Sequence, residues 1–503
     1  MQGDAATLSH EDPSIHRRRL FLASCMALIA TSVAFATVSA SLNPLKIAFN
    51  LSNAEVGQIG GVTLWGFAIS IVVFGPLVDA MGMKNQLRLA FICHLLGSTL
   101  MIIAPDFITL FSGGLIIALA NGIVEAACNP LVATLYPDRK TAKLNQFHVW
   151  FPGGMVIGGV AAYLLNQAGV TDYRPLLALN LIPAVIYGFL ILGQRFPQTE
   201  RVLQGISDRQ MVRGTFGRPL FWILLFCMAL TASLELGPGR WLPPILESGG
   251  VPGILVLAYG SGLMAVMRFF AGPVVKRVQP LLLLLLSAVV GGVGLLALSY
   301  AVGTWQALAA ATVFYVGVCY FWPTMLGVTA ERIPEGGSLA LALMGATGMM
   351  AVGGITVNAM GWVVDTRSQE ILAEEQTIDT VRLTQYFLAD LEDPASFGEV
   401  EPAVLETAQT AAANVLTRFK EDRTLHPDAA SALRFLIQLN PDGIDAAIAR
   451  QLLQSAENRA GRHAFRWLTP LALVLVVIFG LLFLRLGRRP PAKPVGQTVL
   501  SPS

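Results

Sequence analysis

Three polar side chains interrupt a long apolar stretch of the sequence at intervals of four residues. They are Asn121, Glu125 and Asn129, and this spacing places them along one face of a helix. A carboxylate in a lipid-embedded helix costs roughly 2.5–3.5 kcal/mol, so an ionisable residue there is by default functional. We therefore predict that the stripe faces a cavity and that Glu125 carries a proton. A purely structural hydrogen bond of Glu125 is the alternative.

A second polar stripe follows in the next apolar stretch. Asn145 and His148 are three residues apart, a spacing that brings side chains together on a helix. The ordinary pKa of histidine is close to neutral, so His148 either contacts a solute, relays protons or forms a structural hydrogen bond. The rings of Trp150 and Trp322 are candidates for stacking against a solute, although core packing explains most such aromatic residues.

Two further charged residues lie in apolar stretches of the second half. Glu235 is predicted either to pair with Arg240 near the outer end of its helix or to bind a solute or coupling ion. Arg268 is predicted to be structural: its side chain reaches the membrane interface or pairs with Glu331.

The elements that must position these residues are membrane helices. Of the 503 residues, 54% are hydrophobic and 13% are charged, whereas about a quarter of an average soluble protein is charged. The apolar runs are continuous, which excludes a lipid-facing barrel, and each can cross about 30 Å of hydrocarbon as a helix. The predicted spans are 20–42, 56–78, 88–104, 107–135, 146–168, 175–194, 219–237, 253–274, 280–302, 305–330, 339–363 and 467–485.

Composition and missing motifs exclude several classes of function. The net charge of +2 excludes a nucleic-acid binder with a basic face. The five cysteines and six histidines are scattered, so we predict no metal, no disulfide framework and no cofactor, and we rank an enzyme last. No Walker motif is present, so ATP is not the energy source.

The basic residues predict the orientation. If the N-terminus is cytoplasmic, the cytoplasmic loops hold 20 Lys and Arg residues and the short outside loops hold three. We therefore expect a protein of the bacterial inner membrane with both termini on the cytoplasmic side. A polar segment between the last two helices carries 16 acidic and nine basic residues. The predicted organisation is a cytoplasmic N-terminus (1–19), a first six-helix bundle (20–195), a cytoplasmic central loop (196–217), five helices of a second bundle (218–365), an extracytoplasmic helical insert (366–462), a last membrane helix (463–486) and a cytoplasmic tail (487–503).

The two halves repeat each other weakly. Gly75-Pro76 corresponds to Gly272-Pro273, and Asn129-Pro130 corresponds to Trp322-Pro323, with offsets of 197 and 193 residues. A constant offset predicts two pseudo-symmetric six-helix bundles, an architecture found among transporters.

The loop after the second predicted helix resembles a known family signature. It reads GPLVDAMGMK from Gly75 to Lys84, similar to the Gly-x-x-x-Asp-x-x-Gly-x-Lys/Arg pattern of the major facilitator superfamily. The resemblance implies that Gly75, Asp79, Gly82 and Lys84 form a latch between the two halves.

A narrower resemblance concerns the polar helices. Residues 125–130 (EAACNP), 144–148 (LNQFH) and 235–237 (ELG) resemble the fourth, fifth and seventh helices of the fucose–proton symporter, or sugar permease, type. Asn43 stands where that type carries an acidic residue, so proton coupling would rest on fewer groups here.

Together these patterns predict an all-α integral membrane protein of the major facilitator fold with a helical external insert. We expect it to move a small polar solute, a sugar or related compound, by alternating access and to couple this movement to protons or another ion. The alternative is a transporter-like membrane sensor whose external insert binds a partner.

Overall fold

The computed structural model of the chain describes residues 12–49, 51, 53–170, 172–203, 205–247, 253–391, 400 and 402–486, and every regular element in these ranges is a helix. The side chains of Asn43 and Arg240 lie outside this description, as do residues 1–11 and the predicted tail 487–503. The predicted role of Asn43 therefore falls outside the described residues.

The first half of the chain folds into a bundle of six helices. The helices are α1 (Arg17–Phe49), α2 (Asn53–Phe74), α3 (Met83–Ile102), α4 (Phe107–Leu135), α5 (Pro137–Gln167) and α6 (Tyr173–Ile191). In this bundle α1 packs against α4, α5 and α6, while α4 also packs against α2 and α3.

The second half forms a corresponding bundle after the central loop. The helices are α7 (Pro219–Glu247), α8 (Gly253–Phe269, continued after a 58° bend by Ala271–Arg277), α9 (Pro280–Leu298), α10 (Thr304–Arg332), α11 (Pro334–Glu375) and α12 (Ile444–Leu486). In this bundle α9 packs against α10 and α12, and α7 contacts α8, α10, α11 and α12.

Most of these helices are suited to a bilayer by length and composition. Within the described residues, nine are long and apolar enough to cross a membrane, and the bent α8 makes a tenth. The described apolar part of α2, Gln58–Phe74, is shorter, and α3 carries Lys84 and Arg88 in its first two turns. The predicted all-α membrane fold of two six-helix bundles is confirmed.

Two membrane helices are interrupted near the centre of the molecule. The regular part of α5 stops at Phe147 and resumes at Trp150, while α10 stops at Val318 and resumes at Phe321. The last carbonyls of a helix have no donor within it. Each interruption therefore offers backbone acceptors in the membrane interior, at His148 in α5 and at Cys319 in α10.

The two bundles meet closely at one end of the molecule, which we call the Asp79 end. It carries the α2–α3 loop, the central loop and the start of α11. A Cβ atom added to Gly75, the residue that follows α2, would lie 2.0 Å from the Cβ of Ala342 in α11, so glycine permits this approach. The Thr141 hydroxyl of α5 also donates to Glu331 of α10 at 2.5 Å.

At the opposite end, α11 and α12 extend far beyond a hydrocarbon core. The 43 residues of α12 correspond to about 65 Å at the usual helical rise. Arg434 bridges Asp365 and Glu457 at 3.4 and 2.9 Å, which ties the insert to both long helices. The insert helices are Thr377–Asp390, Pro402–Asp422 and Ala429–Leu439.

Candidate functional site

A chain of hydrogen bonds links α4 to the interruption of α5. Asn129 donates through Nδ2 to the Glu125 carboxylate at 2.5 Å, and its Oδ1 lies 3.1 Å from Nε2 of His148. All three side chains are buried, with Glu125 only 5% exposed. This chain connects an ionisable carboxyl group to an imidazole inside the first bundle.

A buried ion pair lies in the second bundle. Arg268 of α8 donates to Oε1 of Glu235 in α7 at 2.5 Å, and both side chains are 3% exposed. The second carboxylate oxygen of Glu235 accepts the backbone N–H of Trp322 at 3.1 Å. Among the described side chains the cationic partner of Glu235 is therefore Arg268, whereas the predicted pairing with Arg240 lies outside the described residues.

The same guanidinium group joins the two bundles. Its Nε donates to the Cys319 carbonyl at 2.6 Å, and its Nη1 donates to the His148 carbonyl at 3.1 Å. These carbonyls end the first segments of α10 and α5, where the helix dipole favours a positive charge. Arg268 thus cross-links both interrupted helices, and the prediction that it snorkels or pairs with Glu331 is wrong.

Between the two polar groups lies a small cavity of about 30 Å³, which is large enough to hold water. Its wall combines ionisable and apolar side chains from both bundles. The lining residues are Phe35, Phe67, Glu125, His148, Phe151, Glu235, Leu236, Arg268, Trp322 and Met349.

Other predicted site residues lie elsewhere. Asn121 accepts a hydrogen bond from Nε2 of His94 at 2.8 Å, so it faces α3 within its own bundle and does not share the cavity with Glu125. Trp150 is absent from the cavity wall, and its carbonyl accepts the Ser32 hydroxyl. The predicted cavity-facing positions of Asn121 and Trp150 are therefore corrected.

Asn145 lies between the bundles, towards the Asp79 end. Its Nδ2 donates to the Thr141 carbonyl at 2.9 Å and to the Thr324 hydroxyl of α10 at 3.2 Å. The side chain is completely buried. Asn145 therefore contributes to the contact between α5 and α10 rather than to the cavity wall.

The predicted latch residues cluster at the Asp79 end, but with a different cation. Asp79 accepts Arg201 Nε at 2.7 Å and Ser338 at 3.4 Å, and it also accepts the Thr199 hydroxyl. Lys84 forms no ion pair in the described part of the chain, and the cation paired with Asp79 there is Arg201. Gly82 has a positive φ of 78°, a conformation that glycine adopts without strain.

The central loop supplies this cation and further contacts. Glu200 pairs with Lys140 at 2.6 Å, and its backbone N–H reaches Thr134 of α4 at 3.3 Å. Arg201 also lies against Gly337 of α11. Residues 199–201 therefore contact both bundles at the Asp79 end.

We expect Arg201→Gln to open the Asp79 end, because it leaves the buried Asp79 carboxylate without its cation. In a cysteine-free background, Thr134→Cys reports the opening through its rate of reaction with a membrane-impermeant maleimide. If the free energy that favours the closed arrangement falls by about one kcal/mol, the open arrangement is about fivefold more populated and the reaction about fivefold faster. Arg209→Gln, an equal charge change at an exposed site in the same loop, is the control. Equal rates in both variants would contradict a closing role for Arg201.

Sequence reasoning gave Arg268 the wrong partners and missed Arg201 altogether. The available signal for Arg268 was its place in an apolar helix, since intramembrane arginine is rare and usually functional. Arg201 lies among several basic residues of the central loop, and nothing in the sequence distinguishes it from them.

Comparison with known proteins agrees with this architecture. The model of the Major Facilitator Superfamily matches residues 20–357. The cis,cis-muconate transport protein of Acinetobacter baylyi is 27% identical over 241 residues, which cover 45% of this chain and 58% of the relative. The D-xylose transporter of Levilactobacillus brevis is 26% identical over 169 residues, 33% of this chain and 36% of the relative. The chain thus matches only part of each curated relative's length.

A solved structure covers more of the fold. The Escherichia coli fucose:proton symporter superimposes with a TM-score of 0.57 and 18% identity, over 69% of this chain and 92% of the symporter. The part left unmatched in this chain is about a third. Since the family model spans ten of the twelve helices and part of the eleventh, the chain belongs to the Major Facilitator Superfamily of membrane transporters.

Proposed function

We propose that this protein is a secondary active transporter that moves a small polar solute by alternating access and couples this movement to protons through Glu125. Membership of the superfamily supports solute transport. The central cavity lies between two bundles, and Arg268 spans them. A site bounded by both bundles changes its access when they move relative to each other.

One contrast supports proton coupling through Glu125 in particular. The cavity wall contains two buried carboxyl groups, and Glu235 is neutralised by Arg268. Glu125 is held by the neutral amide of Asn129, and the described residues provide no cation for it. Since an unpaired carboxylate is costly in a membrane interior, its charge must be balanced by a bound proton.

The contacts at the Asp79 end support an arrangement in which that entrance is closed. Residues 199–201, Gly75 with Ala342, and Thr141 with Glu331 all join parts of the two halves there. Opening this entrance requires these contacts to separate. The Lys and Arg distribution supports a cytoplasmic Asp79 end and an insert on the outer side of a bacterial inner membrane.

The solute belongs to one of the classes handled by the relatives. These include a sugar, D-xylose, and a dicarboxylic acid, cis,cis-muconate. The sequence resemblance favours a sugar or related compound, and this remains a prediction. Transport is preferred to the sensor alternative because the relatives are transporters.

Uptake into proteoliposomes tests the proposal. With an imposed inward proton gradient, labelled D-xylose or cis,cis-muconate is expected to accumulate above its external concentration, and a protonophore is expected to abolish the accumulation. Accumulation that persists with the protonophore would contradict proton coupling. Saturable flux with no added partner protein would exclude a sensor that needs one.

A further inference from the structure

We propose that Arg268 binds the carboxylate of an organic-acid substrate with a largely apolar body, and that this carboxylate replaces Glu235 on the guanidinium group. The inference rests on the proposed transport function and specifies its substrate class. It is carried by the bonding of Arg268 and by the composition of the cavity wall.

The guanidinium group retains capacity for a better carboxylate contact. It has five N–H donors, and its recorded bonds use one each from Nε, Nη1 and Nη2. Glu235 is held only through Nη2. A carboxylate that binds Nη1 and Nη2 together forms the stronger bidentate pair, so an incoming acid has an advantage over the resident side chain.

The resident carboxylate can leave without losing all its partners. The backbone N–H of Trp322 already holds Oε2 of Glu235 at 3.1 Å. Once a substrate occupies Arg268, a charged Glu235 would be buried beside a second anion, which is unfavourable. The exchange is therefore completed when the Glu235 carboxylate turns away from the guanidinium group, whose charge is then balanced by the substrate.

The remaining wall of the cavity fits an apolar body better than a polyol. Six of its ten residues are apolar or aromatic: Phe35, Phe67, Phe151, Leu236, Trp322 and Met349. A sugar would bury several hydroxyl groups against them, and a buried hydroxyl without a partner costs about 1–3 kcal/mol. A planar ring or diene attached to one carboxylate buries none. The present cavity of about 30 Å³ must widen to admit it.

Binding to the purified full-length protein tests this assignment. Benzoate and its neutral amide, benzamide, have nearly the same shape and differ in charge. We expect benzoate to bind at least about tenfold more tightly than benzamide, a difference of ~1.4 kcal/mol, and L-fucose and D-xylose not to compete. Equal affinities for benzoate and benzamide, or no benzoate binding, would overturn the proposal.

Two variants separate substrate recognition from a structural role. Glu235→Gln removes the internal competitor and is expected to tighten benzoate binding about tenfold, which a structural ion pair would not predict. The double variant Arg268→Gln with Glu235→Gln keeps the pair's net charge, so it is expected to fold. Because it lacks the guanidinium group, it should lose its affinity for benzoate and keep its affinity for benzamide. Benzoate affinity unchanged in the double variant would contradict the proposal.

The transport assay keeps this proposal separate from the preceding one. Benzoate that binds through Arg268 but is not accumulated under a proton gradient would overturn coupled transport and leave the binding assignment standing. Proton-driven accumulation of D-xylose by the wild-type protein, with neither binding nor accumulation of benzoate, would overturn the binding assignment and leave transport standing.

Discussion

Replacing Glu125 with glutamine is expected to abolish proton-driven accumulation and to leave solute exchange intact. Glutamine keeps the length of the side chain and an oxygen to accept the Asn129 amide, which now donates to Glu125 at 2.5 Å. It cannot release a proton. A gradient of one pH unit supplies ~1.4 kcal/mol, which corresponds to about a tenfold accumulation when one proton accompanies each solute. The ratio of internal to external solute concentration should therefore be about 10 in the wild type and about 1 in the variant.

Two assays in proteoliposomes check this result. Accumulation under an imposed proton gradient measures coupling. Counterflow of labelled against unlabelled solute measures solute binding and movement in the absence of a proton gradient. Glu374→Gln, at an exposed position near the end of α11, is the matched control and should behave like the wild type. Wild-type accumulation by Glu125→Gln would show that the coupling proton is carried elsewhere.

The second large effect concerns folding stability. Arg268→Gln leaves Glu235 buried with no cation, and breaking one side of a buried ion pair costs about 3–5 kcal/mol. We expect a marked fall in the apparent melting temperature of the detergent-solubilised protein. Adding Glu235→Gln removes the uncompensated charge, so the double variant should recover most of the loss.

A surface pair calibrates this measurement. Arg434 bridges Asp365 and Glu457, but its side chain is 49% exposed, and exposed pairs contribute about 0–1 kcal/mol. Arg434→Gln should therefore lower the melting temperature only slightly. A double variant no more stable than Arg268→Gln would indicate that the guanidinium bonds to the two backbone carbonyls dominate the stabilisation.

Much of the fold follows from local properties of the sequence. Continuous apolar runs of spanning length can satisfy their backbone in lipid only as helices, and nine of them, with the bent α8, are membrane-length helices in the described part of the chain. The contact between Glu125 and Asn129 could be predicted from the sequence, because residues four apart on a helix lie next to each other. Their observed hydrogen bond is of this local kind.

The error over Asn121 shows where such reasoning fails. A four-residue step turns a helix by about 40° beyond one full turn, because a turn holds 3.6 residues. From Asn121 to Asn129 the direction changes by about 80°, so Asn129 reaches His148 in α5 while Asn121 reaches His94 in α3. A stripe that looks continuous in the sequence thus faces two neighbours.

Sequence alone is sufficient to predict the helices, their two-bundle order and the polar residues inside the membrane. It does not predict that Arg268 pairs with Glu235, 33 residues away, or that Arg201 pairs with Asp79, 122 residues away. These two pairs are seen only in the folded structure. Helix formation depends on bonds between residues four apart. An ion pair between helices depends instead on their depth, rotation and interruptions, which are set by packing across the whole molecule.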